Sequence, residues 1–377
     1  MRAAPIRFFF FTLMLCALSP INASAEVEEQ VVREYAQHVH RSYEQTARLA
    51  ETLSRSIRTF LAEPNQTRLE EARSSWVKAR QAYGRTEAFR FYEGPIDAPG
   101  GTTIPEGPEG RLNAWPLNEA HIDAIINTPQ IEISRAELES RNATDDEANV
   151  SLGWHAIEFL LWGQDLSTDG PGARPASDFV GTEGVPARRR AYLALCTELL
   201  LSDLQGLVTA WAPGQQNYRA SFEALPPSTA LGYILTGLAT LSGFEMASER
   251  IAVPLDSQSQ EDEHSCFSDT THLDFLSNAE GIALVYFAKN AETEASAFQR
   301  LLQNRTPELA EKIAVALRQS VELARNVPNP IDQALLAAEN DPRRVHLQRL
   351  VEALQLQAEL LKAAGRSLGV EVRVSAE

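Results

Sequence analysis

A chain of 377 residues with 51 aspartates and glutamates against 34 lysines and arginines carries a formal charge of −17. That sign excludes nucleic acid as a partner, because meeting phosphates requires basic patches. The acidic balance is compatible with attracting cations, but by itself it accounts only for solubility.

The N-terminus opens with Arg2 and Arg7, followed by an apolar run from Phe8 to Leu18 and then Ala23-Ser24-Ala25. A basic start, an apolar centre and a small-x-small site read as a secretory signal over residues 1–25, cut before Glu26. The run is too short to span a bilayer. Cys16 lies inside it behind Leu15 and is not read as a lipid-anchored cysteine. No later segment reads as a membrane helix, so the expectation is an exported, periplasmic protein with no transmembrane segment in the mature chain. Loss of Arg2 and Arg7 takes the charge from −17 to −19. About 350 mature residues can bury ample core and suggest two domains.

Strand signals are scarce, while Ala, Leu, Glu, Arg and Gln dominate and favour helix. Helical patterns cover 27–62, 66–91, 118–127, 145–163, 187–211, 228–251, 273–303, 307–326 and 343–364. In the last of these Leu347, Leu350, Val351, Leu354, Ala358 and Leu361 form one stripe. Pro307 after Thr306 and Pro342 after Asp341 look like helix starts. The fold class expected is all-α, built from bundles. Three long punctuated segments, 93–116, 166–186 and 252–271, interrupt the helices. The second divides an N-terminal helical bundle, 26–183, from a C-terminal one, 184–377. There is a faint internal echo. Arg90 precedes Pro95-Ile96-Asp97 and Arg250 precedes Pro254-Leu255-Asp256, each after a helix carrying Glu87 or Glu245. Cys196 and Cys266 remain after signal cleavage. In an oxidising compartment they can form a disulfide; two buried free thiols are the alternative.

The most informative stretch is Ser151 to Trp162. It is apolar nearly all round, yet His155 and Glu158 sit three residues apart and share a face with Trp162. An ionisable pair in such a helix is costly to bury unless a metal, a polar network or a substrate group satisfies it. A His/Glu pair at this spacing projects two ligand atoms from one face, which suits zinc or iron. Gly153 removes a side chain beside His155 and lets another element approach. The alternative is a core histidine bonded to its neighbouring carboxylate. The zinc-protease spacings HExxH and HxxEH are absent, so any metal needs ligands from elsewhere. On the preceding long helix Trp76, Arg80, Tyr83, Glu87 and Arg90 line one face. Glu87 is a candidate ligand with Arg80 or Arg90 balancing its charge; an exposed ion-paired face is the alternative. Residues 261–272 hold His264, His272, Cys266 and four carboxylates, either a metal-binding run or an acidic loop whose Asp269, Thr270 or Thr271 caps the next helix.

Gly153-x-His155-x-x-Glu158 resembles the GxHxxE signature of the imelysin family, which includes the insulin-cleaving metalloproteinase and the iron-regulated protein A group. Three further blocks resemble that family in order: Tyr83 to Phe91 with Gly94-Pro95-Ile96-Asp97, Asn113-Ala114-Trp115-Pro116, and Glu263 to His272. Leu161-Trp162-Gly163-Gln164-Asp165 continues the signature helix. The resemblance implies two helical bundles with the signature facing the cleft between them, and a link to iron supply or metal binding. It carries over His155 and Glu158, then Glu87, Arg90 and Asp97, and last Asp269 and His272.

Three functions follow as expectations. The first is binding of a divalent or trivalent metal ion, iron favoured and zinc possible, in an iron-uptake or iron-responsive role with a partner protein at the membrane. His155 and Glu158 would be ligands and Glu87, with Asp97 or Asp269, would complete the set. The second is a cleft that binds a small ligand or partner peptide without metal. The third is a metallopeptidase in which a carboxylate such as Glu87 takes a proton from metal-bound water.

Overall fold

The computed structural model describes residues 20–98, 107–288 and 295–374. Most of the expected signal segment lies outside the described residues. All regular secondary structure among the described residues is helical, with no strand.

The principal helices are α1 (Pro20–Ala62), α2 (Gln66–Gly84), α3 (Gly153–Trp162), α4 (Gly184–Ala210), α5 (Pro227–Thr240), α6 (Thr271–Phe287), α7 (Pro307–Arg325) and α8 (Pro342–Leu368). Their starts follow from local chemistry. The Asn65 side chain accepts the Arg68 N–H to begin α2. Asp341 accepts the Arg343 N–H behind Pro342 to begin α8. Each side-chain oxygen satisfies one amide that the first turn leaves without a partner. Of the apolar stripe on α8, Leu347, Leu350, Leu354, Ala358 and Leu361 are buried.

The helices pack in two groups. α1 lies along α2 and α4, and α3 packs against both α2 and α4. α8 lies along α5, its continuation and α7, while α6 packs on α7. α6 also meets the turn Arg85–Phe89 and α2, which brings the groups together. The partners of α4 are therefore helices from the other side of the boundary drawn at residue 184. One contiguous apolar core runs through both groups. Gly184–Ala210 and Pro227–Ser257 are by length and composition long and apolar enough to cross a bilayer, although no such segment was expected; 50% and 78% of the relevant stretches are buried inside the protein.

Three expected helices differ. The 145–163 segment turns helical only at Gly153, whose φ of +90° is strained for any side chain. Before it, the Asn142 side chain accepts the Ser151 and Leu152 amides at 2.9 and 3.2 Å, an alternative to helix. The 273–303 pattern ends at Phe287, and a separate helix, Ala297–Arg305, starts on a capping box between Ser296 and Gln299. The 66–91 pattern tightens after Gly84 into the turn Arg85–Phe89.

Beyond α5 the backbone runs from Leu241 to Ala252 as a π-helix. In an α-helix, residues five apart point in different directions. The wider π-turn aligns them, and here Arg250 bonds Glu245 at 2.9 Å. Cys196 and Cys266 are buried free thiols, so the disulfide expectation is corrected in favour of its alternative. Cys196 Sγ donates to the Ser151 carbonyl at 3.5 Å instead.

Candidate functional site

All ten residues of α3 are buried. A Cβ on Gly153 would stand 2.5 Å from the Leu112 carbonyl oxygen and 2.6 Å from that of Arg111. Bare glycine lets the 109–112 segment seat over the start of the helix, two residues before His155. From there His155 and Glu158 face the second helical group through residues 264–274.

His155 Nδ1 lies 2.9 Å from Glu158 Oε2, and its Nε2 lies 3.4 Å from Nη2 of Arg80. A guanidinium only donates. Donor bookkeeping therefore assigns the lone pair to Nε2 and the proton to Nδ1, which donates to Glu158. The other Glu158 oxygen accepts both the amide (3.0 Å) and the hydroxyl (2.6 Å) of Ser268. A second carboxylate–imidazole pair stands beside the first: His264 Nδ1 donates to Asp274 Oδ2 at 2.9 Å, and Ser265 Oγ donates to the same oxygen at 2.6 Å. The two imidazole centroids are 4.9 Å apart.

Arg80 fills the space between these pairs. Its Nε donates to Asp274 Oδ1 at 3.1 Å and its Nη1 to Asn113. Nη2 lies 3.2 and 3.3 Å from the two ring nitrogens of His264, so it rests against the ring and not along one lone pair. Arg80 and Asp274 are each about 1% exposed. Burial pushes both imidazoles well below the usual histidine range, with the Arg80 and Arg250 charges adding to the effect. Burial also pushes the Glu158 carboxyl up to about 8.

Glu87 lies in a neighbouring network. Arg250 Nη2 donates to Glu87 Oε2 at 2.5 Å, and Arg250 Nη1 to Asn278 at 2.7 Å. Asn278 donates to Glu87 Oε1 at 3.1 Å and Asn113 to Glu87 Oε2 at 3.3 Å. Burial alone would raise this carboxyl, but Arg250, with Arg80 behind it, holds it at about 2.

The residues expected to share a metal are thus divided among different partners. Among the described residues, His155, Glu158 and Glu87 do not gather as a three-ligand set. The physical reason is that Arg80 faces His155 Nε2, Arg250 takes up Glu87, and His155 with Ser268 takes up both oxygens of Glu158. Arg90 bonds Asp97 (3.1 Å) and Glu109 (2.9 Å) and reaches Glu87 only at 4.0 Å. Asp97 is completed by the Phe91 amide at 2.7 Å, so Arg90 and Asp97 brace the turn after Phe89. The Trp162 ring packs on Trp76 and under Arg73, not on His155. His272 donates to the Asp269 carbonyl at 3.1 Å. Asp269 has a φ of +54° and caps no helix; neither Thr270 nor Thr271 supplies a side-chain cap.

Asp269 instead joins Asp165 and Asp332. One carboxylate oxygen from each lies within 4.8 Å of the other two. Burial, with Asp332 and Asp165 adding repulsion, pushes Asp269 up to about 8. Sequence reasoning placed Arg80 on the right face without assigning it the centre. It missed Asp274 and Asp332, which carry no pattern of their own. For Arg250 there was a signal in the echo with Arg90: Arg250 bridges Glu87 and Glu245, the two glutamates that the echo paired.

Comparison with known proteins decides the family. The family model described as Imelysin (Peptidase_M75) matches residues 39–361. The chain belongs to the imelysin family. It is 28% identical over 305 residues to iron-regulated protein A of Synechococcus elongatus, covering 78% of this chain and 74% of that protein. Two crystal structures share the fold. A candidate iron-regulated protein A precursor from Parabacteroides distasonis superposes with a TM-score of 0.71 at 18% identity, over 92% of this chain and 96% of that one. An imelysin-like protein from Psychrobacter arcticus gives 0.67 at 16% identity, over 93% and 98%. The buried His155–Glu158 pair described above lies within the residues this imelysin shares with the family model.

Proposed function

We propose that this imelysin is an exported, periplasmic protein that binds a metal ion, iron favoured and zinc the alternative, in an iron-responsive or iron-uptake role. The metal would enter between the two carboxylate–imidazole pairs, at the place Arg80 now fills. The observation that carries the reading is that a buried cation already rests there against His155, His264 and Asp274. Two imidazoles and a carboxylate are donors that suit a metal ion, but with Arg80 between them His155, His264 and Asp274 do not gather within 4.8 Å of one another, so binding requires Arg80 to move aside. Each histidine has its Nδ1 held by a carboxylate, the arrangement that orients a ligating imidazole. Each is kept neutral, which is the protonation state a metal needs. His155 Nε2, His264 and Asp274 would supply the ligand atoms. Glu158 supports the site through His155, because Ser268 and His155 occupy both its oxygens. A bound ion would supply charge at this point in place of the guanidinium.

The peptidase role for Glu87 fits poorly. A carboxylate held at about 2 is a weak proton acceptor at neutral pH.

Metal titration of chelator-treated protein tests the proposal. Arg80→Met removes the competing cation and should tighten binding of Fe(II) or Zn(II). His155→Ala should abolish it, and Glu158→Gln should weaken it about 10–100-fold. If His155→Ala and Arg80→Met both bind metal as the parent does, the assignment is wrong. A cleft for a small ligand or partner peptide then becomes the better reading.

A further inference from the structure

A second group of buried ionisable residues lies outside the pocket just described. Asp165 follows α3, Asp269 lies in the turn before α6, and Asp332 begins the short helix Asp332–Leu335. All three are buried, and their oxygens meet within 4.8 Å. Glu263 adjoins Asp332 and is 1% exposed. With all four ionised, neither Glu263 oxygen has a hydrogen-bond donor and one oxygen each of Asp165, Asp269 and Asp332 also lacks one; when protonated, Asp165 can bond Asp269, and Glu263 can bond Asp332, with Thr271 also near Glu263. None of the four makes an ion pair among the described residues. Burial raises all four carboxyls, and the charges that add to it on Asp165, Glu263 and Asp269 are those of the other members of the group. Glu261 and Glu119 add further carboxylates at the edge, with Glu261 sensing Asp165.

Buried polar groups are ordinarily bonded, and buried charges ordinarily paired. Here the reverse holds for four neighbouring carboxylates. The contrast with Glu87, for which the same protein provides Arg250, Asn278 and Asn113, shows that this fold pairs such groups elsewhere. Shared protons satisfy such oxygens one pair at a time; a hard divalent cation, with no nitrogen or sulfur needed, satisfies several converging ones at once.

We infer that Asp165, Asp269 and Asp332, with Glu263 beside Asp332, form a binding site for a hard divalent cation of the calcium class, separate from the His155 pocket. The site would clip three stretches of chain together: the exit of α3, the 263–269 segment and the start of the 332–335 helix. The middle stretch also serves the pocket. Ser268, next to Asp269, holds Glu158, and His264, next to Glu263, lies against Arg80. A cation here would therefore steady the two residues through which the 263–269 segment reaches the signature helix.

The test uses the full mature chain after chelation, titrated with CaCl2 and separately with MgCl2, by calorimetry and by thermal unfolding. Calcium should bind, and should raise Tm by on the order of a few degrees in a concentration-dependent way, magnesium less. Asp332→Asn and Asp165→Asn should each weaken calcium at least tenfold. Without calcium, Asp332→Asn should be no less stable than the parent, since it removes a carboxyl that burial disfavours in the ionised form and that repels Asp269. His155→Ala should retain the calcium response, which separates this site from the pocket. Absence of calcium binding to the parent at millimolar concentration overturns the inference, as does an unchanged affinity in both asparagine variants. If either variant fails to fold, Glu263→Gln with the parent titration gives the same decision.

Discussion

The pocket around Glu87 and the group around Asp269 are built from the same kind of residue and reach opposite ends of the carboxylate range. Glu87 is fully buried, and Arg250 holds it at about 2. Asp269 is also buried, and burial, with Asp332 and Asp165 beside it, pushes it up to about 8. Desolvation acts in the same direction on both, so the company each keeps decides the outcome. The lesson is that burial alone does not mark a functional carboxylate. A buried carboxylate with a bonded arginine is a structural member, whereas several without one are where we infer a cation site.

The comparison breaks most visibly if Glu87 is deprived of its partner. Arg250→Met would leave Glu87 buried and unpaired, beside an Asn278 that has lost the arginine donor and a Glu245 stranded on the π-turn. Removing one partner of a buried ion pair costs about 3–5 kcal/mol. The urea midpoint should fall accordingly, and the Glu87 carboxyl should rise well above 2. A loss under 1 kcal/mol would show that the Arg250 network matters little to the fold.

A smaller loss is expected at the place where α3 is seated. Gly153→Ala adds a Cβ at φ +90° that meets two carbonyl oxygens at 2.5 and 2.6 Å. The left-handed conformation alone is worth about 1–3 kcal/mol, and the 109–112 segment must also shift. Because Asn113 follows that segment and bonds Arg80, the metal affinity proposed for the pocket should drop with the stability. A variant that unfolds earlier yet binds metal as before would separate the helix seat from the site.

Much of this was legible from the residues in order. The nearly all-apolar character of α3 announced its burial, and the His155–Glu158 bond was one of the alternatives weighed for the two ionisable groups within it. Pro307 and Pro342 marked helix starts because proline is tolerated there and not further in. Less legible was anything depending on distant segments meeting. Asp274 and Asp332 look like ordinary acidic residues in helical sequence, and only tertiary packing sets one against Arg80 and the other against Asp269. The π-turn that aligns Glu245 with Arg250 also leaves no periodic trace, because a search at 3.6 residues per turn places them on different faces. Gly153 was read as room for an approaching element. Its second role, stopping the helix from starting earlier, depends on a backbone angle that composition does not reveal.

The smallest expected effect, per pH unit, separates the two regions by the direction in which acidity acts. His155 and His264 sit well below their ordinary 6.5 in the folded chain, so between that folded value and 6.5 the unfolded chain binds more protons. Stability contributed by keeping them neutral is therefore present above 6.5 and drains away as pH falls below it. Glu87 adds to the same limb from 4.5 downward, as its folded value is about 2. Asp269 acts oppositely: with a folded value near 8 against an ordinary 3.8, the folded chain holds the extra proton, and stability falls as pH rises through that interval. Each histidine contributes a slope of about 1.4 kcal/mol per pH unit on the acid side. Replacing one, as in His155→Gln, should flatten the acid limb of an unfolding-stability profile by about that amount and leave the alkaline limb alone. Asp269→Asn should do the reverse. An acid limb of the same slope in His155→Gln would mean that this imidazole is protonated in the folded chain, and Arg80 could not then rest against its lone pair.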